Sequence, residues 1–206
     1  MHERVMQAFA RLDAIHAEDP ERDASGKPSE LAYAEAMSAW LCRLDETASE
    51  ALQVAVRAQH LGRFRTPRAS FPDGRVGYLK WRREQGQMHA RLAAETLRDA
   101  GFDEAFVERV AALISKERLK DASDIEAQTL EDCACLVFLD LGIDAFLRKE
   151  GEESVTAILQ KTWKKMSPRA HALALQIPFR EPAASVVKRA LTTPPLPAAS
   201  EATPTS

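Results

Sequence analysis

Along most of the chain, apolar residues recur at helical spacing, with polar residues filling the positions between them. Val5, Phe9 and Leu12 stand at i, i+4 and i+7 and predict a first helix from about His2 to His16. Turn formers dominate Glu18 to Pro28. Ser29 then reads as the N-cap of a second helix with Leu31, Met37, Trp40, Leu41 and Leu44 on its apolar face and Tyr33 in its first turns. Thr47-Ala-Ser-Glu50 has the form of a capping box, so a third helix is expected to run to His60. Leu52, Val54, Ala55 and Val56 are nearly continuous there, which predicts burial on several sides. Between Leu61 and Val76 the pattern breaks at Gly62, Pro67, Pro72 and Gly74, which is the mark of a long loop.

A fourth helix is predicted from Gly77 to Ala100, ended by Gly101, and a fifth from Asp103 with Phe106, Val110, Leu113 and Ile114. Thr129 and Asp132 read as the start of a sixth. Its Leu136, Val137, Phe138 and Leu139 cannot share one face, which predicts a central helix. Ser154 to Met166 forms a seventh, and Ser167-Pro168 opens a short eighth with proline at N1. No run alternates with the period of a strand. The expected fold is all-α, a single-domain helical bundle over 1–181. The remaining 182–206, with five of the 11 prolines among Ala, Ser and Thr, is expected to be a disordered tail.

Composition adds limits rather than elements. At 206 residues, 45% apolar, the chain can bury a full core without staples. A net charge of -3 argues against non-specific nucleic-acid binding by the whole surface, although a local basic patch could still bind phosphate, and specific nucleic-acid binding is not expected. Cys42, Cys133 and Cys135 fit neither a disulfide framework nor a zinc motif and read as small buried apolar residues. The amino terminus has no continuous apolar segment of the secretory kind, and no stretch is apolar enough to span a membrane, so a cytoplasmic location is the expectation.

Three features could carry chemistry. Imidazole and carboxylate are common ligands of divalent metals, and His60, His89 and Asp132 lie inside or beside well-packed helices. A helix-capping His60, a satisfied His89 and a dipole-stabilised Asp132 account for the same residues without a metal. Second, the stretch from Arg57 to Arg83 carries eight basic residues against the single acid Asp73. Arg63, Arg65, Arg68, Lys80 and Arg82 are candidates to hold phosphate, with Phe64, Phe71, Tyr78 and Trp81 as stacking surfaces. Solvated charges and core aromatics would look alike. Third, Lys161, Lys164, Lys165 and Arg169 gather at a helix end, where the dipole explains them.

The segments Arg57-Ala-Gln-His-Leu-Gly-Arg-Phe64, Gly77-Tyr-Leu-Lys-Trp-Arg82, Gln128-Thr-Leu-Glu-Asp-Cys-Ala-Cys-Leu-Val-Phe-Leu139 and Lys161-Thr-Trp-Lys-Lys-Met-Ser167 resemble an uncharacterised all-helical family. Its members sometimes carry a glutamyl-tRNA synthetase label. This chain lacks that enzyme's ATP signatures, Lys165-Met-Ser167 being only a fragment of one. The order of elements is also distantly similar to the HD superfamily of metal-dependent phosphohydrolases. Gln59-His60-Leu61-Gly62-Arg63 resembles its His-Asp-Ile-Gly-Arg segment, with Leu61 in the Asp position. Tyr33 stands near the place of the first His, His89 looks like an additional metal-site His, and Asp132 looks like the distant Asp. The resemblance implies an HD-like domain that binds a phosphorylated small molecule or nucleotide. His60 and Asp132 would then be catalytic, and His60, His89 and Asp132 would hold Mn, Fe or Zn. A degenerate scaffold that binds without catalysis is the alternative.

Overall fold

A computed structural model of the chain describes residues 3–116, 121 and 123–192. Among the described residues there are ten α-helices and no strand, the one β feature being an isolated bridge between Arg22 and Pro28. The helices fall into two compact units, Met1–Val137 and Phe138–Ser206, where one domain over 1–181 was expected.

The first unit holds α1 (Glu3–His16), α2 (Ser29–Leu44), α3 (Glu50–Arg57), α4 (Gly74–Asp99), α5 (Glu104–Ser115) and α6 (Ile125–Val137). Its centre is the short α3 rather than α6. Packed against α1, α2, α5 and α6, α3 buries Leu52, Val54, Ala55, Val56 and even Arg57. Thr47 does not cap it. The Thr47 amide and hydroxyl both donate to Asp45 Oδ1, at 2.9 and 2.8 Å, which leaves Ser49 Oγ to accept from the Leu52 amide at 3.1 Å. The helix that starts at Glu50 ends at Arg57, little more than two turns later, so His60 lies in the turn beyond it.

The basic loop, 58–73, holds two short 3-10 turns, Arg63–Arg65 and Arg68–Ser70, and is tied down. Trp81 Nε1 and Gln85 Nε2 both donate to the Thr66 carbonyl, at 3.0 and 2.6 Å, and α4 starts at Gly74, earlier than the Gly77 expected. Asp103 caps α5 by accepting from Phe106 N at 2.9 Å, as its position predicted. The start of α6 differs. Asp124 caps it, accepting from Ala127 N at 3.1 Å while its carboxylate receives both arms of Arg109 at 2.8 Å. Thr129 and Asp132 therefore lie inside the helix, and Thr129 donates back to the Ile125 carbonyl four residues earlier.

Leu130 and Leu136 of α6 are fully buried. Leu136→Ala is expected to cost about 3 kcal/mol, the lost transfer energy plus the cavity left behind. Urea denaturation checks this; a loss below about 1 kcal/mol would mean that the site collapses around the deletion.

The second unit holds a π-helical stretch at Phe138–Gly142, then α7 (Ile143–Glu150), α8 (Glu152–Trp163), α9 (Pro168–Ala174) and α10 (Ala183–Thr192). Ser167 caps α9, with Pro168 at N1 as predicted. Helix α10 replaces the first part of the expected tail: Ala183, Val186 and Ala190 are spaced for one helical face, are buried, and belong to a helix that packs on α8. The proline-rich stretch 193–206 lies outside the described residues. Cys133 and Cys135 are buried as expected, but Cys42 is exposed, on the outer side of α2. Among the described residues no helix is long and apolar enough to cross a membrane.

Candidate functional site

The end of α3 is clamped from two sides. His16, the last residue of α1, donates from Nε2 to the Arg57 carbonyl at 3.0 Å, and His89, midway along α4, donates from Nδ1 to the Leu61 carbonyl at 2.7 Å. A carbonyl oxygen can only accept, which fixes both tautomers. The turn between these anchors carries His60. Its ring stacks on Tyr33 of α2, with centroids 4.0 Å apart and planes 10° from parallel, and lies 5.9 Å from the His89 ring.

One carboxylate and one guanidinium complete the group. Glu30, in the first turn of α2, places Oε2 3.5 Å from His60 Nδ1 and Oε1 3.8 Å from Arg63 Nε. Arg63 reaches His60 Nε2 at 3.4 Å and lies over the Trp81 ring, 4.6 Å from its centroid. Arg63 (34% exposed), His60 (22%) and Glu30 (14%) face outward, whereas the His16 and His89 rings lie on the buried floor.

Burial governs the protonation of this group. It raises Glu30 to about 7, against the opposing pull of Arg63 and His16. It lowers His89 to about 3, helped by His60, and lowers His16. His60 falls well below the usual histidine range through burial and then through Arg63 and Lys116. The cationic, dipole-stabilised His60 that a helix C-terminus suggested is therefore a neutral ring, because desolvation outweighs the dipole in a turn past the helix end. Tyr33 is also raised by burial and stays protonated.

The predicted residues divide. His60, His89 and Arg63 come together, and Arg82 acts on His60 through its field while lying 5.9 Å from the centroid of the exposed Tyr78 ring. Arg65 pairs with Glu18 at 2.7 Å, and Arg68 donates to the Phe71 carbonyl at 2.9 Å, so both are spent on structure. Lys80 sits on the exposed face of α4, 3.8 Å from Glu84. Asp132 is buried in α6 and accepts from Gln128 Nε2 at 2.9 Å. Among the described residues no three His, Cys, Asp or Glu side chains form a group arranged to hold a metal, so His60, His89 and Asp132 are not a ready-made ligand set.

The pattern alone missed Glu30, His16 and Lys116. Glu30 looks like a first-turn acid and His16 like a frayed helix end. Lys116 ends α5 in the left-handed region, φ +59, an unusual conformation for a side-chain-bearing residue, and pairs with the buried Glu131 while acting on His60. None of the curated proteins and none of the solved structures matches the chain. A family described as a domain of unknown function, DUF4202, matches residues 6–187, within which every residue of this cluster falls, and the chain belongs to that family.

Proposed function

We propose that the first unit is an HD-like scaffold that binds a phosphorylated small molecule or nucleotide at the mouth formed by Arg63, His60 and Glu30. The observation that carries this reading is Arg63 itself. Its side chain is half-buried, braced on Trp81, and among the described residues met only by contacts of 3.4 and 3.8 Å, which leaves N–H donors unspent there. A guanidinium held in this way suits the paired oxygens of a phosphate. Arg82 adds positive field at the same place.

The test is a thermal-shift screen of inorganic phosphate, sugar phosphates and nucleoside mono- and diphosphates. At least one phosphorylated compound is expected to raise the melting temperature of the wild type. Arg63→Met should weaken that compound about tenfold or more, the worth of a charged hydrogen bond, while Arg65→Ala leaves it in place. No response to any phosphorylated compound, or equal binding by Arg63→Met, overturns the reading.

A second form of the reading, phosphoester hydrolysis, is favoured by Glu30 at the mouth, which, raised to about 7, can take or give a proton near neutral pH.

A further inference from the structure

The first turns of α4 expose apolar side chains on the face where a helix packed on a core presents charge. Gly77, Trp81 and Gln85, four residues apart, form its buried ridge. The opposite ridge, by the same spacing, is Arg75, Leu79 and Arg83, with Val76 one row to its side. Val76 is 82% exposed and Leu79 53%, and their i, i+3 spacing makes them neighbours. The half-exposed Tyr78 stands on the other flank, its ring centroid 5.9 Å from the Arg82 guanidinium.

No acid occurs from Gly74 to Arg83, whereas Arg75, Lys80, Arg82 and Arg83 are all present and exposed. Of these cations only Lys80 has an acid in reach among the described residues, Glu84 at 3.8 Å. Ile125 shows the contrast: it is as exposed as Val76 but stands between Asp124 and Glu126. A single exposed aliphatic residue is ordinary; two side by side at the outermost line of a helix, ringed by cations, mark a contact surface.

The charge calls for an anionic occupant, and the size of the patch selects among them. About three turns of one convex helix present a handful of side chains, against about 20–30 a side in a standard protein interface. A nucleic acid would use the cations and Tyr78 but leave Val76 and Leu79 in water. A bilayer needs no matching shape. Its acyl boundary takes aliphatic tips, its head-group level suits tyrosine, and each cation near an anionic leaflet strengthens binding about fivefold.

We propose that the start of α4 is a peripheral docking surface for an anionic phospholipid bilayer, with Val76 and Leu79 entering the acyl boundary and Arg75, Lys80, Arg82 and Arg83 on the head groups. The surface is separate from the Arg63 mouth and does not depend on the phosphorylated ligand proposed there.

The experiment is co-sedimentation of the full-length protein with vesicles of phosphatidylcholine alone and of equimolar phosphatidylcholine and phosphatidylserine, at low and high salt. The wild type is expected to sediment with the anionic vesicles at low salt and to stay in solution with the neutral ones. Val76→Ser and Leu79→Ser combined in one chain should weaken this partitioning by about tenfold or more. Arg75→Gln, Arg82→Gln and Arg83→Gln together should weaken it by about 100-fold. Ile125→Ser and Arg63→Met should bind like the wild type. All these positions but Arg63 are exposed, and circular dichroism confirms that each variant is folded. No sedimentation of the wild type with the anionic vesicles overturns the proposal. So does sedimentation that the double serine variant retains, since the cations would then be acting alone on any polyanion, a nucleic acid included. Loss of binding in Arg63→Met would place the lipid head group at the mouth instead and overturns it as well.

Discussion

Lowering the pH from 7 to 5 in EDTA is expected to remove about 2 kcal/mol of folding stability through His89 alone. The unfolded chain binds a proton at His89 near pH 6.5, whereas the folded ring stays neutral down to about 3. A group depressed in this way gives stability that is complete above 6.5 and drains away as the pH falls. His16 and His60, shifted in the same direction, add to the loss. Glu30 opposes it. Raised from 4.5 to about 7, its carboxyl costs the folded state stability as the pH climbs through that interval, so acidification returns about 2 kcal/mol. Three histidines outweigh one carboxylate, and the net slope between pH 5 and 6.5 is upward with pH. Urea titrations at pH 5, 6, 7 and 8 read this directly. His89→Asn, which keeps a donor for the Leu61 carbonyl, should flatten the profile, and Glu30→Gln should steepen its acid side. Stability that does not change between pH 5 and 7 would contradict the burial argument.

Gly77→Ala is expected to destabilise the protein by about 2 kcal/mol net, even though alanine is the better helix former. A Cβ at position 77 would stand 1.9 Å from the Pro72 carbonyl oxygen and 2.7 Å from its carbon, which are backbone atoms that no side-chain rotation can clear. Overpacking of this kind costs about 3 kcal/mol at the upper end, against about 1 kcal/mol gained in helix propensity. The loop cannot simply retreat, since Thr66 is held by Trp81 and Gln85 and Phe71 by Arg68. Gly86 lies on the same helix, where the nearest atom to an added Cβ is 3.9 Å away. Gly86→Ala should therefore stabilise by up to about 1 kcal/mol. Equal effects at the two positions would show that the close approach of the loop to α4 is not what sets the cost.

Much of the helical order was legible because amphipathic spacing and caps such as Asp103 and Ser167 are local signals. The errors arose where two local signals competed. Asp45 captured Thr47 and shifted the cap of α3 to Ser49, while Asp124, bonded to Arg109 of another helix, began α6 ahead of Thr129. Arg109 is 15 residues from Asp124, and no pattern in the α6 segment announces that pairing. The site shows the same division. His60, His89 and Arg63 stood out as unusual residue types in apolar or basic surroundings. Glu30 and His16 did not, because an acid in a first helical turn and a histidine at a helix end are ordinary locally and become unusual only when α1 and α2 meet the end of α3.

The two histidine clamps on the Arg57 and Leu61 carbonyls span 41 and 28 residues of sequence. The turn they hold cannot take its shape until both α1 and α4 have docked, which places assembly of the cluster late in folding. Its amides should exchange with solvent only when the whole first unit opens. A fragment lacking α1 would be a helical chain without a site rather than a weaker version of the protein.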